Sequence, residues 1–153
     1  MVYVFAHGSL LCPESLASTL PDVDLDGCVP ARCHGYRRTF GVAFPNDGSQ
    51  ADKAFFAPDG GRPGYVVFAD LVPAPGCTVN GVCVPVDDAA LGALTRRERR
   101  YTTREITDGI APYPGCDLPA GTVVAFVGRP EFTRPEHIDQ GVVPRDYVET
   151  ILR

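Results

Sequence analysis

The chain must turn from strand to helix almost as soon as it begins. Val2-Tyr3-Val4-Phe5-Ala6 is a β-branched and aromatic run, His7-Gly8-Ser9 breaks it, and Cys12-Pro13-Glu14-Ser15-Leu16 opens a helix with proline in its first turn. A strand, a glycine and a helix start in that order aim the backbone N–H groups of the turn, with the unpaired N–H groups of the first helical turn, at one space, which favours a carboxylate or phosphate there. Gly8 also fits a plain tight turn out of an edge strand. The stretch alone leaves both readings open.

Beyond this point 16 glycines and 15 prolines cut the chain into short pieces, which favours many strands and turns over a helical bundle. Strand patterns occupy residues 27–44, 64–72, 78–86, 102–107 and 121–127. Helices are expected at residues 13–20, at 89–100 with Asp87 or Asp88 as cap, and from Pro144 through Asp146, Tyr147 and Ile151. A turn is expected at residues 73–76, and Gly81 marks a bulge or a close backbone approach. Residues 46–61 read as surface loop with one short strand at 54–56. The prediction is one α+β domain over residues 1–153, built on a mixed, curled or barrel-like β-sheet of five to seven strands with about three short helices.

Charge and cysteine usage narrow the function classes. A net charge of −5 argues against nucleic acid or an anionic membrane as partner. The first apolar run has no basic residue before it and is cut by His7 and Gly8, so it is not a secretory signal, and the expected location is cytoplasmic. Six cysteines are then expected as reduced thiols. Cys28, Cys33 and His34 form part of a zinc set, but no fourth ligand follows at a regular spacing, so no metal is expected.

The most informative positions lie in Leu91-Gly92-Ala93-Leu94-Thr95-Arg96-Arg97-Glu98-Arg99-Arg100-Tyr101. On a helix Leu91, Leu94, Glu98 and Tyr101 share one stripe, which places Glu98 on the apolar side, while Arg96, Arg99 and Arg100 mark the solvent side. A carboxylate among leucine and tyrosine is costly to bury unless it is hydrogen-bonded or holds its proton more tightly. The functional reading is a general base. The structural alternative is a helix-end ion pair with Arg97 or Arg104.

Four motifs in order, His7-Gly8-Ser9-Leu10, Gly35-Tyr36-Arg37-Arg38-Thr39-Phe40, Gly81-Val82-Cys83-Val84-Pro85-Val86 and Leu94-x-x-x-Glu98-x-x-Tyr101, resemble the γ-glutamylcyclotransferase family (γ-glutamylcyclotransferase-like, or AIG2-like). Pro144-Arg145-Asp146-Tyr147-Val148 is a weaker echo. The resemblance implies an enzyme that closes 5-oxoproline from a γ-glutamyl amide and releases an amine, a lyase-type intramolecular aminolysis needing no cofactor. It implies Glu98 as acid/base, and His7, Gly8, Ser9, Leu10, Leu11, Arg37 and Tyr101 around the substrate, with Arg38 as an alternative to Arg37. Two positions depart from the family pattern. His7 stands where a tyrosine usually opens the loop, which alters the pocket wall, and Thr95 stands where an aspartate usually follows the helix leucine, which removes a supporting hydrogen bond.

Two other classes stay open on sequence. Cys12, just before Pro13 at a helix start, could be the nucleophile of an amide hydrolase with His7 or His34 as base; a buried inert thiol is the alternative. A non-catalytic member binding a small metabolite through the same loop, or serving as a scaffold, is the third.

Overall fold

The computed structural model of the chain describes residues 1–47, 55–56 and 59–152. Among these residues seven strands form one curled mixed sheet: β1 (Val2–Ala6), β2 (Val29–Pro45), β3 (Tyr65–Val86), β4 (Tyr101–Glu105), β5 (Ile110–Pro112), β6 (Thr122–Gly128) and β7 (Gly141–Val142). Their order is β4-β6-β1-β3-β2-β5, with β7 beside the start of β3. Among the described residues four α-helices accompany the sheet, α1 (Pro13–Ala17), α2 (Asp88–Arg97), α3 (Pro135–Asp139) and α4 (Arg145–Leu152). The architecture is α+β, as composition and punctuation predict.

β1 owes its central place to apolar residues on both sides. It lies antiparallel to β3 and parallel to β6, and alternation sends Phe5 into one cluster with Leu71, Val79 and Val123 while Val4 and Ala6 enter another with Leu16, Val84 and Leu94. A strand covered on both faces needs no polar alternation. A third cluster, Phe44, Val66 and Phe68, takes Tyr147 of α4 against it.

The turn expected at residues 73–76 does not end a strand. β3 runs on from Tyr65 to Val86, and the register jumps from Tyr36↔Pro73 to His34↔Thr78, so residues 74–77 bulge out opposite Gly35. Gly35 and Gly76 sit at φ +82° and +84°, a conformation that favours glycine, and a second register shift falls between Phe40 and Val42. These irregularities let a long hairpin curl. The short strand expected at 54–56 lies partly outside the described residues, and Phe55 and Phe56 are not in a strand.

Gly81 is a close approach, not a bulge. A Cβ there would stand 2.5 Å from the Ala6 carbonyl oxygen and 2.5 Å from the Phe5 ring, just past the Ala6↔Val82 end of the β1–β3 pairing. Gly81→Ala should therefore cost roughly 2 kcal/mol, the usual scale of overpacking, read as a lower urea midpoint. An unchanged midpoint would mean the two strands can separate locally.

Candidate active site

Glu98 faces inward because α2 stops just before it. Asp87 caps the helix by accepting from the Ala90 N–H at 2.8 Å, and Leu94, fully buried, anchors it against the sheet. Glu98 leaves helical geometry at φ −89°, ψ 43°, still donating its N–H to the Leu94 carbonyl. Tyr101 then donates its N–H to the Glu98 carbonyl at 2.9 Å and begins β4. The sequence stripe is thus corrected at its end: Tyr101 reaches Glu98 by a reversing turn, not by another helical turn. Arg100 is also corrected. It is buried, not solvent-facing, with its guanidinium 4.1 Å from the centre of the Phe44 ring.

The Glu98 side chain is 16% exposed and borders two small adjoining hollows. The larger, about 210 Å³, lies among Ser9, Phe44, Phe68, Arg97, Glu98 and Tyr147. The smaller, about 30 Å³, lies among His7, Gly8, Ser9, Leu10, Glu98 and Tyr147. Ser9, Glu98, Tyr101 and Tyr147 belong to both. An acidic side chain from the third quarter of the chain therefore shares a hollow with the bend that follows β1. That bend is a 3₁₀ turn, Ser9–Leu11, in which Leu11 and Cys12 donate to the carbonyls of Gly8 and Ser9. The N–H groups of Ser9 and Leu10 come too early in the turn to have a partner within it.

Arg97 ties the two halves together. Its Nε pairs with Glu98 Oε1 at 3.2 Å, and its Nη atoms donate to Ser9 Oγ, Thr19 Oγ1 and the Ser15 hydroxyl and carbonyl. The ion pair foreseen as the structural alternative is real, and the same arginine fixes the loop facing the carboxylate. Two tyrosines frame the opposite wall through one residue of β3. Tyr101 donates its hydroxyl to the Ala69 carbonyl at 2.7 Å, while Tyr147 Oη accepts the Ala69 N–H at 3.2 Å and keeps its own hydrogen to give. Burial, with the neighbouring Glu98 charge, holds the Tyr101 hydroxyl well above its ordinary range and pushes Tyr147 up to about 12, so both are proton-bearing at neutral pH.

The other expected residues scatter more. Arg37 is exposed on β2 opposite Val72 and borders neither hollow; Arg38 reaches the loop instead, donating from Nε to the His7 carbonyl at 2.6 Å and from Nη2 to the Asn80 carbonyl. The Leu11 side chain packs into the helix-side core and borders neither hollow. Thr95 is exposed and donates its hydroxyl to the Leu91 carbonyl. Cys12 is buried, donates its thiol to Glu14, and borders neither hollow. His34 is exposed beside Thr78, while Cys33 is buried and burial pushes its thiol up to about 11. Among the described residues no three His, Cys, Asp or Glu side chains converge as a metal set would, and no helix is long and apolar enough to cross a membrane.

A wider trough of about 980 Å³ elsewhere runs past Leu20, Asp22, Asp24, Val86, Asp87 and Ala90. Two of its aspartates are spent on backbone N–H groups, Asp24 on Gly27 and Asp87 on Ala90. It brings no base to a donor-rich turn, which the smaller hollows do.

No family model and no curated protein matches the chain. Solved structures do. A γ-glutamyl cyclotransferase is 16% identical with a TM-score of 0.58, the match covering 98% of this chain and 97% of that one. A γ-glutamyl cyclotransferase specific to glutathione from yeast is 15% identical with a TM-score of 0.55, covering 88% and 72%. A protein of Arabidopsis thaliana studied in solution is 18% identical with a TM-score of 0.57, also covering 88% and 72%. At such identity the likeness is one of fold, and this chain has the fold of the γ-glutamyl cyclotransferase structures.

Proposed function

We propose that the protein cleaves γ-glutamyl amides by intramolecular aminolysis, releasing 5-oxoproline and a free amine, with Glu98 as general acid/base. The observation that carries this reading is the Glu98 carboxylate bordering the same hollow as the N–H-rich turn at Gly8, Ser9 and Leu10. The substrate's α-amine attacks its own γ-carbonyl carbon, so the new C–N bond forms within one molecule and the protein's task is to fold the chain and move protons. Glu98 takes a proton from the attacking ammonium. It hands that proton to the departing nitrogen as the original amide C–N bond breaks, and the second proton shed by the attacking nitrogen leaves on the released amine, which departs as an ammonium. N–H groups of the turn and the Tyr147 hydroxyl are the donors for the oxyanion and the α-carboxylate, a role in which one lost donor typically costs ~100-fold or more. The leaving group lies toward the larger hollow, against Phe44 and Phe68.

Incubation with a panel of γ-glutamyl amides should release 5-oxoproline from at least one of them, detected by mass spectrometry. Silence across peptides, amino acids, lysine side-chain amides and simple amines would overturn the reading. The Arg97–Glu98 contact at 3.2 Å favours a second reading, a binding protein whose carboxylate is held as a fixed charge. Saturable binding of the panel without release would establish it.

A further inference from the structure

The turn that carries the N–H donors has little of its own to stand on. It is a 3₁₀ turn of three residues, Ser9–Leu11, followed by α1, five residues long, and pieces this short do not hold a place by backbone hydrogen bonding alone. Leu10, Leu16 and Leu20 bury their side chains in the helix-side core and so fix the depth of the segment on the sheet. Apolar contact is non-directional, so it does not by itself fix register.

Register comes from one side chain on the facing wall. Arg97 commits its whole guanidinium here. Its Nε pairs with Glu98 Oε1 at 3.2 Å, Nη1 donates to the Ser15 carbonyl and to Thr19 Oγ1 at 3.0 Å, and Nη2 donates to Ser15 Oγ at 2.7 Å and Ser9 Oγ at 3.3 Å. A planar fork held by four hydrogen bonds and an ion pair has little rotational freedom left. The carboxylate and the segment bearing the donors therefore stand one guanidinium apart. Thr95, earlier on α2, is exposed and donates back to the Leu91 carbonyl.

We propose that Arg97 is the positioning residue of the reaction: through Ser15, Thr19 and Ser9 it sets the distance and angle between the Glu98 carboxylate and the N–H donors of the turn. This rests on the function proposed above and adds to it the part that keeps base and donors in step. Proton removal at the attacking nitrogen and charge growth on the carbonyl oxygen belong to one reaction path, so both groups must be in place together, and a misplacement of about 1 Å can cost ~100-fold. Substrate still settles on the turn when the base is out of step. The loss should then fall on kcat rather than on KM. An ion pair of structural value alone would show in unfolding and leave kcat as it was.

Arg97→Lys separates the fork from the charge, since lysine keeps a cation at the helix end but offers one compact donor group on a flexible stem. With a γ-glutamyl amide that the parent turns over, Arg97→Lys should lower kcat roughly thirtyfold or more and move KM by less than about threefold. Ser15→Ala, which alters neither α2 nor Glu98, should lower kcat in the same way by a smaller factor. The two losses should not add in the double variant, because each breaks the same link. Amide hydrogen exchange gives a readout that needs no substrate. Leu11 and Cys12 close the turn by donating to the Gly8 and Ser9 carbonyls, and their exchange should quicken about tenfold or more in Arg97→Lys while the centres of β1 and β3 exchange as in the parent. An unchanged kcat, strictly additive losses, or unchanged exchange at Leu11 and Cys12 overturns the proposal. A parent that turns over γ-glutamyl amides while its Arg97→Lys variant keeps the same kcat retains its proposed function and loses only the role of Arg97. A parent inactive on every γ-glutamyl amide overturns both, whatever the exchange shows.

Discussion

Glu98→Gln will cut 5-oxoproline release by at least about a hundredfold and leave the fold in place. General acid/base groups typically contribute 10²–10⁴ in rate, and glutamine keeps the shape of the side chain while removing its capacity to take and return a proton. The amide oxygen can still accept from Arg97 Nε, now 3.2 Å from the carboxylate, so the contact that positions the helix end survives as a neutral hydrogen bond. The change should leave the urea midpoint nearly unmoved, since a partly exposed ion pair contributes little. Glu98→Asp is the sharper partner experiment. It keeps the carboxylate but withdraws it by one methylene, and misplacement of about 1 Å can itself cost ~100-fold. A Glu98→Gln protein as fast as the parent would remove Glu98 from the mechanism.

What the sequence disclosed about this site was its order along the chain; what it concealed was which side chains close the space. The β-branched run before Gly8, the Asp87 cap and the Leu91–Leu94 spacing are local signals, and they place the loop and the helix end. Tyr147 was visible only as a residue of the final helix and of the weaker Pro144–Val148 echo, with no role in the site, because its partner, the Ala69 N–H, is 78 positions away. Arg97 lies among several arginines whose helical phase says nothing of Ser9 or Ser15, contacts that depend on how α1 folds back on α2. Arg100 was misread for a related reason: once the helix ends at Arg97, helical phase no longer governs where its side chain points, and the chain reversal turns it onto Phe44. The long β3 was broken in two on sequence because Pro73 and Gly76 carry the same signals in a wide bulge as in a turn. Arg37 and Arg38 are neighbours on a strand, so alternation guarantees that only one faces the loop, and only the cross-strand register decides which.

Stability should fall steeply between pH 6.5 and about 4, and His7 should account for about 3 kcal/mol of that fall. In the unfolded chain the imidazole titrates near 6.5, whereas in the fold burial lowers it to about 4, with Arg38 adding to the effect and the Phe126 carbonyl opposing it. Within that window the unfolded state binds a proton that the folded state refuses. Stability therefore rises with pH across it, by about 1.4 kcal/mol per pH unit, and this contribution is complete above 6.5 and gone by about 4. His7→Phe has nothing to protonate, so its profile of unfolding free energy should be flatter than the parent's over the same range, whatever its absolute level. Asp70 works in the opposite sense. Burial raises its carboxyl against hydrogen bonds from Gly128 and Leu71, so taking up a proton as pH falls favours the fold, but it is common to both proteins and cancels in the comparison. Parallel parent and variant profiles from pH 6.5 to 4 would mean that the imidazole is hydrated or protonated in the folded state.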